Sequence, residues 1–170
     1  MNSGCICCSL VGDFGTALAE VLEKYAPDRI IIEPSGVGKL SDVIKAVLGV
    51  KEKVAEDSVV LNSFTTVADA TKCKMYMKNF GEFYNNQVEH AGTIVLSRTG
   101  NMKEDKLQAC IDLIRTQNAE ASIITTPWDQ INGKQILDAM EKKNDLVKEL
   151  LEEEDVCPEF GHHHEHGEEC

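Results

Sequence analysis

The sequence predicts an α/β fold on a three-layer, mostly parallel sheet, and three observations carry that prediction. Short runs of β-branched and aliphatic residues alternate with segments whose apolar residues recur at helical spacing. The runs are continuous rather than alternating, as in strands covered on both faces. A chain of 170 residues with 42% apolar and 27% charged residues can bury one core without disulfides.

Each element follows in order. Phe14, Ala17, Leu18, Val21, Leu22 and Tyr25 mark a first helix, with Asp13 as its N-cap and Pro27 as its stop. Arg29–Glu33, RIIIE, reads as a strand buried on both faces. A helix through Leu40, Val43, Ile44, Val47 and Leu48 comes next, and then a strand within Val59 to Ala68. Cys73, Tyr76, Met77, Phe80 and Tyr84 share a helical stripe that Gly81 is placed to interrupt. Thr93–Ser97 is a strand, Leu107, Cys110, Ile111 and Ile114 a helix, Ser122–Thr126 a strand, and Ile136, Leu137 and Met140 a last helix. Crossovers of this kind gather loops at the carboxyl ends of the strands, where ligands of such folds bind.

Residues 1–143 form one domain on this reading. A charged helix from Asp145 to Glu154 then leads into CPEFGHHHEHGEEC, so residues 144–170 are a separate acidic tail with too few apolar residues to pack. Most of the net charge of −12 sits there, on Glu152, Glu153, Glu154, Asp155, Glu159, Glu165, Glu168 and Glu169. That balance makes nucleic acid a poor partner. No run approaches the ~20 apolar residues of a membrane span, and the first residues lack both a basic patch and an apolar signal core. A cytoplasmic protein is expected, in which seven cysteines are ligands, nucleophiles or core filler rather than a disulfide framework.

Cys5, Cys7 and Cys8 bring three thiols within reach of one soft ion such as Zn²⁺, with room for a fourth ligand or an exchange partner. An open site of this kind suits transfer rather than storage. His162, His163, His164 and His166, bracketed by Cys157 and Cys170 and mixed with carboxylates, suit Zn²⁺, Ni²⁺ or Co²⁺. The bland alternatives are buried cysteines without a ligand and a solvated tail. Cys73, Cys110 and His90 lie on or beside apolar helix faces and read as core or surface residues. Pro127 and Trp128, after the last strand, are placed either to line a base pocket or to fill the sheet end, and packing is the preferred reading.

Glu33-Pro34-Ser35-Gly36 places an acid at the end of a hydrophobic strand with a glycine three residues on. Nucleotide hydrolases hold Mg²⁺ and let a backbone N–H approach the terminal phosphate in this way, although a plain strand-to-helix turn would look the same. A Walker A loop, GxxxxGK(S/T), is not in the sequence. Ending it at Lys39 would need glycine where Glu33 stands and a hydroxyl residue where Leu40 stands, and Gly133-Lys134 is followed by Gln135.

GCICC before a helix, then IIIEPSG, TTVADA, TIVLSRTG and a histidine-rich acidic stretch: this order resembles the CobW-type metallochaperone GTPases, relatives of the urease and hydrogenase maturation GTPases. The resemblance implies a P-loop NTPase-like fold, here incomplete at its N-terminal side, and GTP with Mg²⁺ as cofactors. It implies that Cys5, Cys7 and Cys8 hold a cargo metal (Zn²⁺, Co²⁺ or Ni²⁺) and that Glu33, in the catalytic role, and Gly36 form the switch for Mg²⁺ and the γ-phosphate. Asp69, Ser97, Arg98 and Thr99 would then contact the nucleotide. Two departures stand out: the missing Walker A loop, and SRTG where the family has an Asn/Ser/Thr-Lys-x-Asp base-recognition motif. Gly100 has no side chain to accept from guanine, which puts the preference for GTP over ATP in question.

The expectation is therefore a fragment of a nucleotide-gated metal-delivery protein, or one half of a split one. Its client is a metalloenzyme or a cofactor-biosynthesis protein, and its exposed sheet edge takes a P-loop-bearing partner chain or a second copy. Competing classes are a non-enzymatic metal buffer or sensor and, more weakly, a thiol redox protein, since the spacing is Cys-x-Cys-Cys rather than Cys-x-x-Cys.

Overall fold

The computed structural model describes residues 10–51 and 59–141. The cysteine run Cys5 to Cys8 and the tail from 144 to 170 lie outside the described residues. Among the described residues two helices, α1 (Leu10–Tyr25) and α2 (Leu40–Lys51), precede the first strand, β1 (Thr65–Asp69). Helices α3 (Cys73–Asn79) and α4 (Gly81–Glu89) lead to β2 (Thr93–Ser97), α5 (Glu104–Arg115) leads to β3 (Ser122–Ile124), and α6 (Gly133–Met140) follows. Among the described residues the sheet has the order β1-β2-β3 and both pairings are parallel, with Thr65 beside Thr93 and Thr93 beside Ser122.

Alternate residues of a strand face opposite sides. On one side Ile94 and Leu96 of β2 and Ala68 of β1 pack with Cys73, Val88, Cys110 and Ile114 from α3, α4 and α5. On the other side the Thr93 hydroxyl donates to the Ala139 carbonyl of α6 at 2.9 Å. Helices therefore cover β2 on both faces, as its burial over Thr93 to Leu96 requires. β1 is different. Thr66 and Ala68 are buried, but Val67, which lies beside Val95, is 59% exposed.

Helices α1 and α2 pack through Leu18, Val47 and Val50, with Phe14, Leu22 and Ile32 against them. Gly15 makes this approach possible, since a Cβ there would stand 3.3 Å from a Val50 methyl carbon. Ile44, Leu48 and Phe64 extend the packing toward β1.

Several expectations are corrected. Helix α1 begins at Leu10, so Asp13 lies within it and is not its N-cap. Arg29–Glu33 is not a strand. A β-branched run has the propensity but needs a neighbour to pair with, and among the described residues none lies beside it; Ile31 is 87% exposed, and only Ile32 packs inward. Of Val59 to Ala68 only the end from Thr65 pairs, and Val60 is exposed. The last strand stops at Ile124 rather than Thr126. Trp128 is 58% exposed and so does not fill the sheet end. The stripe from Cys73 to Tyr84 does break, at Phe80, where the backbone leaves helical geometry before Gly81 starts α4; the Tyr76 ring bridges the break, 5.9 Å from both Phe80 and Tyr84. Helix α6 starts on a capping box, with Asn132 and Gln135 each accepting from the other's backbone N–H.

Candidate functional site at the carboxyl rim of the sheet

The carboxyl ends of β1 and β2 are adjacent, with Asp69 beside Ser97. β1 ends in a tight turn in which the Asp69 carboxylate accepts from the Thr71 N–H at 2.9 Å and from the Thr71 hydroxyl at 2.6 Å. Its other oxygen pairs with the Arg98 guanidinium at 3.2 Å. Arg98 has a left-handed backbone, φ 62, unusual for a residue with a side chain. Its side chain is 72% exposed, whereas that of Asp69 is 15% exposed. Ser97 donates to the Ala68 carbonyl, which ties the two strand ends together. Thr99 is buried and its hydroxyl has no partner among the described residues. Pro127 approaches Gly100, 3.8 Å from where a Cβ would stand, and the exposed Trp128 follows it.

The fold thus brings Asp69, Ser97, Arg98 and Thr99 together at one rim. This rim offers a carboxylate, a guanidinium, an orphaned hydroxyl and an exposed indole, groups able to bind a polar aromatic ligand by hydrogen bonds and stacking. Gly100 adds no side-chain acceptor.

Glu33 and Gly36 lie in a separate turn. The Gly38 N–H donates to the Ser35 carbonyl at 2.8 Å, and a Cβ on Gly38 would meet that oxygen at 3.1 Å, so a side chain there would press on the turn. Glu33 is exposed, and a Cβ on Gly36 would meet open space. The Gln87 amide of α4 donates to the carbonyls of Gly36 at 3.0 Å and of Gly38 at 2.7 Å, clamping the turn. No spacing in the sequence marks Gln87 for this role. Among the described residues no hydrogen bond or ion pair joins Glu33 or Gly36 to Asp69, Ser97, Arg98 or Thr99.

The metal ligands expected from sequence, Cys5, Cys7, Cys8, His162, His163, His164 and His166, lie outside the described residues. Among the described residues no group of three or more His, Cys, Asp or Glu side chains is placed to hold a metal ion. No helix among them is long and apolar enough to cross a membrane.

Comparison with known proteins gives these observations a context. The chain is 28% identical over 188 aligned positions to "Zinc chaperone CobW" of a Sinorhizobium species, covering 99% of this chain and 52% of that protein. It is 26% identical over 140 positions to "Zinc-regulated GTPase metalloprotein activator 1" of Schizosaccharomyces pombe, covering 81% of this chain and 34% of that one. A protein of the same name from Dictyostelium discoideum is 22% identical, with 81% and 33% covered. The chain thus spans between a third and about half of the length of these relatives. No solved structure matches it. The family model described as CobW/HypB/UreG, nucleotide-binding domain, matches residues 1–125, a span that takes in all three described strands and the rim they form. The chain belongs to the CobW/HypB/UreG nucleotide-binding domain family.

Proposed function

We propose that this chain is part of a nucleotide-gated metal-delivery protein of the cytoplasm, with zinc as the first cargo to test and cobalt or nickel as alternatives. Family membership and the zinc-chaperone and GTPase names of its relatives support the reading. The observation that carries it is the rim, where Asp69 at the end of β1 and Arg98 just after β2 are paired at 3.2 Å beside the orphaned Thr99 hydroxyl. In open parallel sheets this is where ligands bind. Asp69, Ser97, Arg98 and Thr99 suit the base end of a nucleotide, while Glu33 and Gly36, in the turn held by Gln87, suit the Mg²⁺ and γ-phosphate switch. With Gly100 offering no acceptor, discrimination between GTP and ATP is expected to be small.

Cys5, Cys7 and Cys8 hold the cargo on this reading, and residues 144–170, with His162, His163, His164 and His166, form an auxiliary metal-binding tail beside the domain of residues 1–143. A client metalloenzyme or cofactor-biosynthesis protein receives the ion. The backbone cradle of a Walker A loop supplies much of phosphate binding and transition-state stabilisation, and this sequence contains none. The chain alone is therefore expected to show no saturable nucleotide hydrolysis, and the edge of β1 that is unpaired among the described residues to accept a P-loop-bearing partner chain or a second copy.

Equilibrium dialysis of zinc onto the reduced, anaerobic chain, with its tail histidines replaced by alanine, tests the proposal. Uptake that Cys5→Ser abolishes, with an affinity that nucleotide and Mg²⁺ shift, is the expected result. Uptake indifferent to nucleotide, even with a partner supplying the P-loop, would favour the buffer or sensor. No uptake at all would overturn the metal assignment.

A further inference from the structure

Glu141, the last described residue, is the C-cap of α6 and is fastened to two segments far from it in the sequence. One of its carboxylate oxygens accepts from the Arg29 guanidinium at 2.7 Å and from the Asn62 amide at 3.0 Å. Arg29 begins the run RIIIE, and Asn62 lies on the approach to β1. Both segments send side chains inward to the same place: Ile32 from the first, and Val59 and Leu61 from the second, pack against Leu18, Val47 and Val50. Val60 and Asn62 are exposed beside the partly buried Val59 and Leu61, the period of two expected of an extended chain, and Arg29 and Ile31 are exposed on the first segment. The two outer faces therefore meet on Glu141. Each presents a large aliphatic side chain to solvent, Ile31 at 87% and Val60 at 79% exposure, two positions from the residue that holds Glu141 and so about 7 Å along the chain from it.

The sequence beyond Glu141 fits this surface. Residues 142–170 lie outside the described residues, and as a whole their sequence is too poor in apolar residues to make a core. Near its start, however, the apolar residues are ordered. Leu146, Val147, Leu150 and Leu151 fall at i, i+1, i+4 and i+5, one stripe on the helix expected over 145–154, with Asp145, Lys148, Glu149 and Glu152 on the opposite side. A helix this short gains its stability from packing such a stripe against an apolar surface. Leu146 follows Glu141 by five residues, a reach of about 7 Å as helix and at most about 18 Å as extended chain. A segment tethered so closely meets the patch at an effective concentration on the order of millimolar, which favours it over a free partner or a second copy.

We propose that the segment 145–154 of this chain docks as a helix on the face that carries Ile31 and Val60, its apolar stripe against their side chains and its charged side in solvent. The bonds from Arg29 and Asn62 to Glu141 fix where the segment leaves α6 and so aim it at that face. The contact is local: a short helix held through four side chains opens without unfolding the domain, and its release leaves the urea transition of the domain unchanged. Docking also sets the point from which the histidine-rich stretch after Cys157 extends. The inference does not depend on the proposed metal delivery.

The test is hydrogen–deuterium exchange of the reduced, metal-free full chain, read by mass spectrometry, together with methyl NOE spectroscopy of the chain labelled at Ile, Leu and Val. Amides of 148–154 should exchange about tenfold or more slowly than in a free peptide of the same sequence. NOEs should join the methyl groups of Ile31 or Val60 to those of Leu146, Val147, Leu150 or Leu151. Leu150→Asp should abolish both signals. Val60→Asp should do the same from the other side of the contact, where it leaves the helical propensity of 145–154 untouched. Unchanged exchange in α5 shows that each variant is folded. The proposal is overturned if the segment exchanges as fast as the free peptide, if the NOEs are absent, or if Val60→Asp leaves exchange slow. It is also overturned if the NOEs arise only between labelled and unlabelled copies or the slow exchange is lost on tenfold dilution, since a second copy then covers the face.

Discussion

The β2–β3 half of the sheet and the β1 side are finished to different degrees. At the start of β2 and β3 the Asn118 side chain donates to the carbonyls of Val88, Glu89 and Ala91 and accepts from the N–H groups of Glu120 and Ala121. Arg115 adds bonds to the carbonyls of Asn118, Ala119 and Ala121. On the β1 side, Ile31, Val60 and Val67 are exposed at 87%, 79% and 59%, and one edge of β1 is unpaired among the described residues. Burying an aliphatic side chain is worth about 1.5–3 kcal/mol, so each of these residues leaves stabilisation unrealised. The contrast is one of cover: β2 is buried from Thr93 to Leu96, whereas the β1 side leaves these three aliphatic residues in solvent among the described residues.

Substitutions can break or sharpen that contrast. The largest effect is expected in the finished half: Leu96→Ala, at a fully buried position, should cost about 2–5 kcal/mol in urea unfolding. Asn118→Ala removes the hub that joins α4, α5 and β3 and should cost about 2 kcal/mol, because buried carbonyls lose their donors. Gln87→Ala should cost about 1 kcal/mol globally while raising hydrogen exchange in the turn from Glu33 to Gly38. Ile31→Thr, on the open side, should stay within about 0.5 kcal/mol of wild type in the isolated chain. A Leu96→Ala cost no greater than that of Ile31→Thr would erase the contrast.

The smallest effect is electrostatic. The Arg29 guanidinium, and after it the Asn62 amide, hold the half-buried Glu141 carboxyl below its ordinary value of 4.5. A depressed carboxyl stabilises the fold above its ordinary pKa, and that contribution disappears as pH falls through the folded value. The difference in melting temperature between wild type and Glu141→Gln should therefore be present at neutral pH and shrink below about pH 4.5.

Local chemistry made most elements readable in advance. Apolar spacing was enough for α2 and α5, and the continuous run from Thr93 to Leu96 was enough for β2, because these patterns report burial that the fold delivers. RIIIE misled because pairing is a property of two segments and propensity of one. Asp13 misled because a residue with capping chemistry can also sit within a helix. At the rim, Asp69 and the residues from Ser97 to Thr99 were legible as strand ends, while the Asp69–Arg98 pairing depends on strand order. The contacts of Gln87 left no trace in spacing, since they join elements distant in the chain.

The neighbours Asn86 and Gln87 have a mechanical consequence. Asn86 holds Ser41 at the start of α2 by backbone and hydroxyl, and Gln87 holds the carbonyls of Gly36 and Gly38 just ahead of it. A single turn of α4 thus grips the approach to α2 and its first residues like a hand on a lever. Both residues lie in the last turn of α4, beside the loop that enters β2, so side-chain bonds alone fasten the approach to α2 to the start of a central strand.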